Sequence, residues 1–178
     1  MFRLLTTIAF SSLTLFATSV QAHNLSVSNN IESKGTVYRV IDGDTYLINI
    51  TDGTFNQFVE AADGDQDILD NFNFKYKSIK ARLASTNTEE SEHKDESRNT
   101  DFGKMVSDIM KQLLEGEEVS LKCYDFGRYD RPICNIAIHQ QGKSYDVGGY
   151  LIHHEFSPYI TKYGDNPYLH EEYLQLSQ

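Results

Sequence analysis

The feature that most constrains the fold is a series of short segments with the alternating, β-branched character of strands, separated by turn residues. Such segments occupy residues 35–41, 46–50 and 75–83, and two more follow at 119–123 and 133–138. Alternation with a period of two predicts β-strands, because successive side chains of a strand point to opposite faces. The chain therefore predicts five short strands.

Helical spacing appears between the third and fourth of these strands. Apolar residues within 102–115 recur at helical intervals, with Thr100 placed to cap the helix and Gly116 placed to end it. Two further helices are predicted at 146–153 and 166–176, which gives three α-helices in all. This order of strands and helices indicates an α+β fold, and closure into a small barrel would remove the exposed edges of so few strands.

The charge balance limits the kinds of molecule that the protein is expected to bind. The chain has 16 Lys+Arg and 26 Asp+Glu, a net charge of −10, with 39% hydrophobic and 24% charged residues. Such a composition is ordinary for a globular protein and argues against disorder. The acidic balance argues against a protein that coats nucleic acid nonspecifically, because phosphate is repelled at long range. An enzyme with a small basic groove remains compatible with it.

The N-terminus has the features of an export signal. Residues 1–22 combine Arg3, an apolar stretch and a small-residue exit at Val20-Gln21-Ala22. A membrane anchor is the alternative, but the polar residues in the stretch and the placement of the exit favour a cleaved signal peptide. We therefore expect a secreted or periplasmic monomer without a membrane segment in its mature form. It would comprise a flexible lead-in at 23–34 and one domain at 35–178.

The two cysteines flank a turn. Cys123 and Cys134 are arranged symmetrically about Arg128 and Tyr129, so a turn there places them opposite one another. In an oxidising compartment this predicts a cross-strand disulfide, with two buried free thiols as the alternative. A metal site is not indicated, because no His or further Cys lies at ligand spacing.

Four polar patches have side chains suited to chemistry. They are residues 42–45 on a turn, Arg82 with 87–90, residues 129–131, and a late group of tyrosines that includes Tyr163. Each has an ordinary explanation by itself, since Asp and Gly are common in turns.

Together these patches resemble the motifs of the staphylococcal nuclease (thermonuclease) family. Residues 37–45 match the family's V-x-x-V-I-D-G-D-T, and residues 82–83 with 87–90 resemble its Arg-Leu followed by D-T-P-E. Residues 129–131 resemble its Y-G-R, and the match extends over roughly 36–176. The resemblance implies an OB-fold, a five-stranded barrel with three α-helices. It also implies calcium-dependent hydrolysis of phosphodiester bonds in DNA and RNA, leaving 3′-phosphate ends.

The same resemblance implies a set of calcium ligands. Asp44 matches a calcium-binding carboxylate, Asn87 falls on the second one, and Thr88 matches a residue that binds through its carbonyl. Asp42 matches an acid just beyond the ligands. Carboxylate, amide and carbonyl oxygens are the ligands that Ca²⁺ prefers. Because Asn87 stands where the family has aspartate, we expect weaker calcium binding rather than none.

The resemblance implies roles in the reaction as well. Arg82 and Arg131 match the two arginines on the scissile phosphate, and Glu90 matches the glutamate that activates water. Tyr163 lies where the family places a tyrosine that contacts the substrate. Two guanidinium groups can hold the nonbridging oxygens bidentately, and a carboxylate within reach can take the proton of water. A noncatalytic OB-fold module that binds nucleic acid is the alternative, but such a module has no need of Glu90.

The chain also departs from the family pattern. Glu89 replaces a proline and Asp130 replaces a glycine. An acidic insertion at about 52–73 lengthens the chain between the first two motifs. Its aspartates resemble the start of an EF-hand loop, but the glycine and glutamate of such a loop are missing, so a solvated loop is expected.

Overall fold

The computed structural model describes residues 25–26 and 29–178, so the predicted signal peptide lies outside the described residues. In chain order the elements are β1 (Ile31–Asp42), β2 (Thr45–Ile50), α1 (Asp52–Ala61), α2 (Gln66–Leu69), β3 (Phe72–Asn73), β4 (Ser78–Leu83), α3 (Asp101–Leu114), β5 (Glu118–Phe126), β6 (Pro132–Gln140), β7 (Lys143–Asp146), α4 (Val147–His153) and α5 (His170–Leu176). No helix in this part of the chain is long and apolar enough to cross a membrane.

The strands form one sheet that closes into a barrel. Their order is β3-β4-β2-β1-β5-β6-β7, and an additional pairing joins β4 to β6. The β4–β6 pairing is parallel and matches Arg82 with Ile133 and Leu83 with Cys134, whereas the other pairings are antiparallel. Five strands therefore enclose a mixed barrel, and helices pack around it. This is an α+β architecture compatible with the OB-like class, as the sequence predicts.

The barrel interior is filled by alternate side chains of its strands. Val37, Ile48 and Ile79 are fully buried, in keeping with the alternation read from the sequence. Helix α3 adds Val106, Met110 and Leu114 to the core, each of them also fully buried.

The caps predicted for α3 are confirmed. The Thr100 hydroxyl accepts a hydrogen bond from the Gly103 amide at 2.9 Å, and Gly116 follows the helix with a φ of +87°. The observed helix lies within one residue of the predicted 102–115 at both ends.

The acidic insertion is folded, so the expected solvated loop is wrong, and so is the expected number of three helices. Residues 52–73 contain α1, α2 and β3. The physical reason is the spacing of apolar residues: Phe55, Phe58 and Ala62 lie three and four positions apart and are all buried. Asp65 caps α2 by accepting a hydrogen bond from the Asp67 amide at 3.0 Å, so this acid serves helix formation.

Several other boundaries differ from the predictions, and β3 and β7 are additional to the five predicted strands. Strand β1 begins at Ile31, inside the expected lead-in of 23–34, because its residues from 31 to 36 pair with β5. Strand β4 begins at Ser78 because the preceding residues form a turn in which Lys77 has a φ of +49°. Helix α5 begins at His170 rather than 166, because the Asn166 side chain caps a turn by accepting from the Tyr168 and Leu169 amides.

The predicted disulfide is confirmed. Cys123 and Cys134 are directly opposite in the β5–β6 register and are joined by a disulfide, with a Cα–Cα distance of 4.0 Å. Both side chains are fully buried. The bond ties the two strands of this hairpin together below the turn that leads to Arg131.

Candidate active site

The register of the barrel strands brings the residues of the sequence motifs close together. Thr45, directly after the β1–β2 turn, pairs with Arg82 in β4, and Arg82 pairs with Ile133 in β6. The Leu83 amide also donates to the Asp44 carbonyl at 2.9 Å. Residues that are far apart in the sequence therefore meet where the β1–β2 turn, the end of β4 and the start of β6 converge.

Asp44 is a buried carboxylate at the centre of this region, with 1% of its surface exposed. Its Oδ1 atom accepts a hydrogen bond from the Arg82 guanidinium, and its Oδ2 atom accepts one from the Thr88 amide at 2.8 Å. Burial raises the pKa of Asp44, and the Arg82 charge and the Thr88 amide oppose that rise. The Thr45 hydroxyl also donates to Oδ1 at 3.3 Å, so the carboxylate is held by one cation, one backbone donor and one hydroxyl.

Arg82 joins two of the residues assigned to calcium. Its guanidinium contacts Asp44 through Nη1, and its Nη2 atom donates to the Asn87 Oδ1 atom at 3.0 Å and to the Thr86 carbonyl at 3.1 Å. Asn87 is itself fixed through its backbone, because its amide donates to the Ser157 hydroxyl at 2.7 Å.

Arg131 lies close enough to this group for the neighbouring charges to affect its pKa. Its Nη1 atom donates to the Thr45 hydroxyl at 3.1 Å, and its guanidinium carbon lies 5.5 Å from the centre of the Tyr129 ring. Burial lowers the pKa of Arg131, as does the positive charge of Arg82, while Asp44 and Glu90 oppose this effect. Two neighbouring guanidinium groups that repel one another are well suited to share an anion.

Glu90 and Asp42 form a second acidic group. The Glu90 carboxyl lies within hydrogen-bond reach of the Asp42 carboxyl. Asp42 also accepts from the Ser91 amide at 3.0 Å and from the Ser91 hydroxyl at 2.5 Å. Burial raises the pKa of Glu90, and so does the contact with Asp42, whereas Arg98 opposes the rise from 3.3 Å away.

The residues assigned to calcium fit a hard cation by their chemistry. Oxygen atoms of Asp44 and Asn87 already converge on a cationic group, which is the Arg82 guanidinium. The Thr88 hydroxyl is buried next to Gly43 and has no hydrogen-bond partner among the described residues. The group contains a single carboxylate, and within residues 25–26 and 29–178 no set of three or more His, Cys, Asp or Glu side chains is arranged to hold a metal.

Tyr163 is not brought into this group. Its side chain is 76% exposed and lies under the Lys162 ammonium, 4.6 Å from the ring centre. Within the part of the chain that the structure describes, no hydrogen bond or ring contact joins it to Arg82, Asp44 or Arg131.

Several contacts in the site were not predicted. Ser91 holds Asp42, Arg98 pairs with Glu90, and Thr45 accepts from Arg131. Ser91 directly follows Glu90 in the sequence, which is a weak signal that could have drawn attention to it. Arg98 ends a short 3-10 helix (Glu96–Arg98) in a polar segment, where a charged residue carries no signal of its partner.

The arrangement can hold an anion between two guanidinium groups, next to a carboxyl group whose pKa is raised. The chain matches no model of a known protein family, and no curated protein matches it. The geometry and chemistry of these residues therefore carry the functional argument.

Proposed function

We propose that the protein is a calcium-dependent nuclease that hydrolyses phosphodiester bonds in DNA and RNA. The observation that carries the proposal is the pair of guanidinium groups, Arg82 and Arg131, linked through Asp44 and Thr45, with Glu90 near enough for its charge to act on Arg131. A phosphodiester under attack gains charge on its nonbridging oxygens, and two arginines can neutralise that charge with directed hydrogen bonds.

Binding of a phosphate requires a change of partner for Arg82. Its guanidinium is now shared between Asp44 and Asn87, and a phosphate would offer it two equivalent oxygens. Arg131 has a neutral partner, the Thr45 hydroxyl, so part of its hydrogen-bonding capacity is free for substrate.

Calcium would be held by Asp44 and Asn87, whose oxygen atoms now accept from the Arg82 guanidinium, and by the Thr88 carbonyl. When bound, such an ion neutralises phosphate charge and acidifies water. Asp42 would act from beyond these ligands, where Ser91 fixes its carboxylate.

Glu90 would accept the proton of the attacking water. A general base is most effective when its pKa lies near the working pH, and burial with the Asp42 contact raises the pKa of Glu90 in that direction. The positive charge of Arg98 favours the ionised form of Glu90, so it limits the rise in the pKa of this residue.

The proposal extends to the family and to the place of action. The barrel and the motifs support a staphylococcal-nuclease-like OB-fold, and the two helices of the insertion are an addition to the three-helix pattern. A disulfide is typical of exported proteins, which supports a secreted or periplasmic location reached through the signal peptide at 1–22, and we propose that the mature protein is a monomer. Tyr163 would contact a more distant part of the substrate from its exposed position.

The experiment is digestion of plasmid DNA and of RNA with Ca²⁺, with Mg²⁺ and with excess chelator. We expect both polymers to be cut with Ca²⁺ and neither to be cut with chelator. Arg131→Lys should lower turnover about tenfold or more. Lysine keeps the positive charge but lacks the planar guanidinium that can donate two hydrogen bonds to one phosphate. Arg128→Lys is the matched control, since Arg128 is an exposed arginine of the same turn.

Glu90→Gln separates an enzyme from a binding module. We expect turnover to fall by about 10²–10⁴-fold, the usual contribution of a general base, while binding of nucleic acid is retained. Glu92→Gln serves as the control, because Glu92 is exposed and pairs with Arg39 and Lys111 instead. Binding without any hydrolysis by the parent protein would show a noncatalytic OB-fold module, and the proposal would be wrong.

A further inference from the structure

The end of the insertion contacts the turn that precedes Arg131. The Asn71 side chain donates from its Nδ2 atom to the Tyr129 carbonyl at 3.3 Å and to the Asp130 carbonyl at 3.2 Å. The same nitrogen lies 3.0 Å from the Asp67 carbonyl. Three carbonyl oxygens around one nitrogen fix the orientation of the amide, because only the nitrogen can donate.

The backbone of Asn71 is anchored to both neighbouring elements. Its amide donates to the Ile68 carbonyl of α2 at 3.0 Å, and its carbonyl accepts from the Lys80 amide of β4 at 2.9 Å. Lys80 lies two residues before Arg82 on the same strand. The side chain of Asn71 therefore projects from a point that is tied to the barrel wall beside the candidate site.

The turn that it contacts has few other constraints. The Gly127 amide donates to the Arg131 carbonyl at 2.8 Å, and the Asp130 amide donates to the Gly127 carbonyl at 2.7 Å. Asp130 has a φ of +57°, in the left-handed region that favours glycine. A residue in this conformation persists only where its surroundings hold it, and Asn71 supplies a hydrogen bond at that residue.

We infer that Asn71 is a positioning residue for Arg131: its amide holds the backbone at 129–130 so that the guanidinium of the next residue stays at the candidate site. This inference rests on the proposed function, because it assigns to the insertion a part in the geometry of hydrolysis. The insertion is thus a brace for the β5–β6 turn, in addition to being a folded unit of its own.

The test is Asn71→Asp, which keeps the shape of the side chain and replaces the donor nitrogen by oxygen. The new carboxylate would face three carbonyl oxygens and release the turn. Asn73→Asp is the matched control, because it adds the same charge two residues away. Asn73 acts through its oxygen, which accepts from the Lys75 and Tyr76 amides at 3.1 Å each, and a carboxylate preserves that role.

We expect Asn71→Asp to lower kcat about tenfold with a smaller change in KM, since displaced catalytic groups affect the transition state most. Asn73→Asp should leave both constants near those of the parent protein. In an Arg131→Lys background, Asn71→Asp should cause little further loss, because both changes act on one guanidinium. Asn71→Ala removes the donor without adding charge, and it should lower kcat in the same direction if Asn71→Asp fails to fold.

Hydrogen exchange gives a readout that does not depend on hydrolysis. The amides of Gly127 and Asp130 should exchange faster in folded Asn71→Asp than in Asn73→Asp. Unchanged exchange at the turn, or faster exchange with an unchanged kcat, would overturn the inference. Absence of hydrolysis by the parent protein would instead overturn the proposed function, and the exchange rates would still decide whether Asn71 holds the turn.

Discussion

Arg82 contacts oxygen atoms of two of the three residues that we assign to calcium. Its guanidinium neutralises the buried Asp44 carboxylate and also donates to the Asn87 Oδ1 atom. A buried carboxylate without such a partner would be strongly destabilising. In the proposed function, calcium and Arg82 would therefore compete for Asp44, and a bound phosphate would favour calcium by giving Arg82 another partner.

Asn87→Asp should tighten calcium binding, by roughly tenfold, because it adds a second carboxylate to the ligands. Isothermal titration of the metal-free protein with Ca²⁺ measures this change. Asn56→Asp adds the same charge at an exposed position of α1 and should leave the affinity unchanged. Equal or weaker affinity in Asn87→Asp would show that residue 87 does not bind the metal.

The pH dependence of hydrolysis should report the raised pKa of Glu90. A general base must be deprotonated, so kcat/KM should fall as the pH drops through that pKa, above the ordinary range of glutamate. Arg98→Ala removes the charge that lowers the pKa of Glu90, so it should move this decline to higher pH. A pH–rate profile at saturating Ca²⁺ measures both effects, and a decline that stays in place in Arg98→Ala would contradict the assignment.

At the scale of elements, the β5–β6 hairpin contributes most to the geometry of the candidate site. Arg131 lies directly before β6, while the disulfide closes the hairpin three residues further along. The parallel pairing of Leu83 with Cys134 then ties this hairpin to β4, which carries Arg82. The hairpin thus sets the distance between the two arginines.

Reduction of the disulfide should lower the free energy of unfolding by about 3 kcal/mol. The disulfide joins residues that are 11 positions apart, and this cross-link restricts the unfolded chain. For a domain of this size such a loss lowers Tm by about 6–12 °C. Thermal unfolding of oxidised and reduced protein measures the difference, with the Cys123→Ala/Cys134→Ala variant as a control for the reductant. Turnover at 25 °C should change little, since both cysteines are buried and neither has a proposed role in the reaction, and a complete loss of turnover in folded reduced protein would contradict this expectation.

At the scale of the whole molecule, closure of the barrel concentrates positive charge on an acidic protein. The net charge is −10, yet Lys80, Arg82 and Arg131 lie close enough to influence one another. Burial lowers the pKa of Lys80, and the charges of Arg131 and Lys94 lower it further. A bound phosphate would relieve the repulsion among these cations, so the acidic overall charge is compatible with the proposed function.

Calcium should stabilise the whole fold if it binds at Asp44. Binding at 100 times the dissociation constant adds about 2.7 kcal/mol to the free energy of unfolding, which corresponds to a rise in Tm of about 5–11 °C. Differential scanning calorimetry with and without Ca²⁺ measures the shift. Asp44→Asn should abolish most of it, whereas an equal shift in Asp44→Asn would place the calcium elsewhere.

Local patterns in the sequence were enough to predict the elements whose apolar side chains recur with the period of a strand or a helix. The strand segments of the barrel, helix α3 with its Thr100 cap, and the cross-strand disulfide all depend on residues close together in the chain. The folded insertion was missed because its many acidic residues outweighed the helical spacing of Phe55, Phe58 and Ala62. That spacing is itself local, so a closer reading of periodicity could have found α1.

The contacts that make the site were decided by tertiary structure. The sequence identified Arg82, Arg131 and Glu90 as candidates, but it could not show Arg82 on Asp44, Arg98 on Glu90 or Asn71 on the β5–β6 turn. These contacts join residues from different strands and loops, and the register of the closed barrel determines which of them meet. Periodicity reports which face of an element is buried, whereas the partner of a polar side chain depends on how the elements pack, and packing is a property of the whole chain.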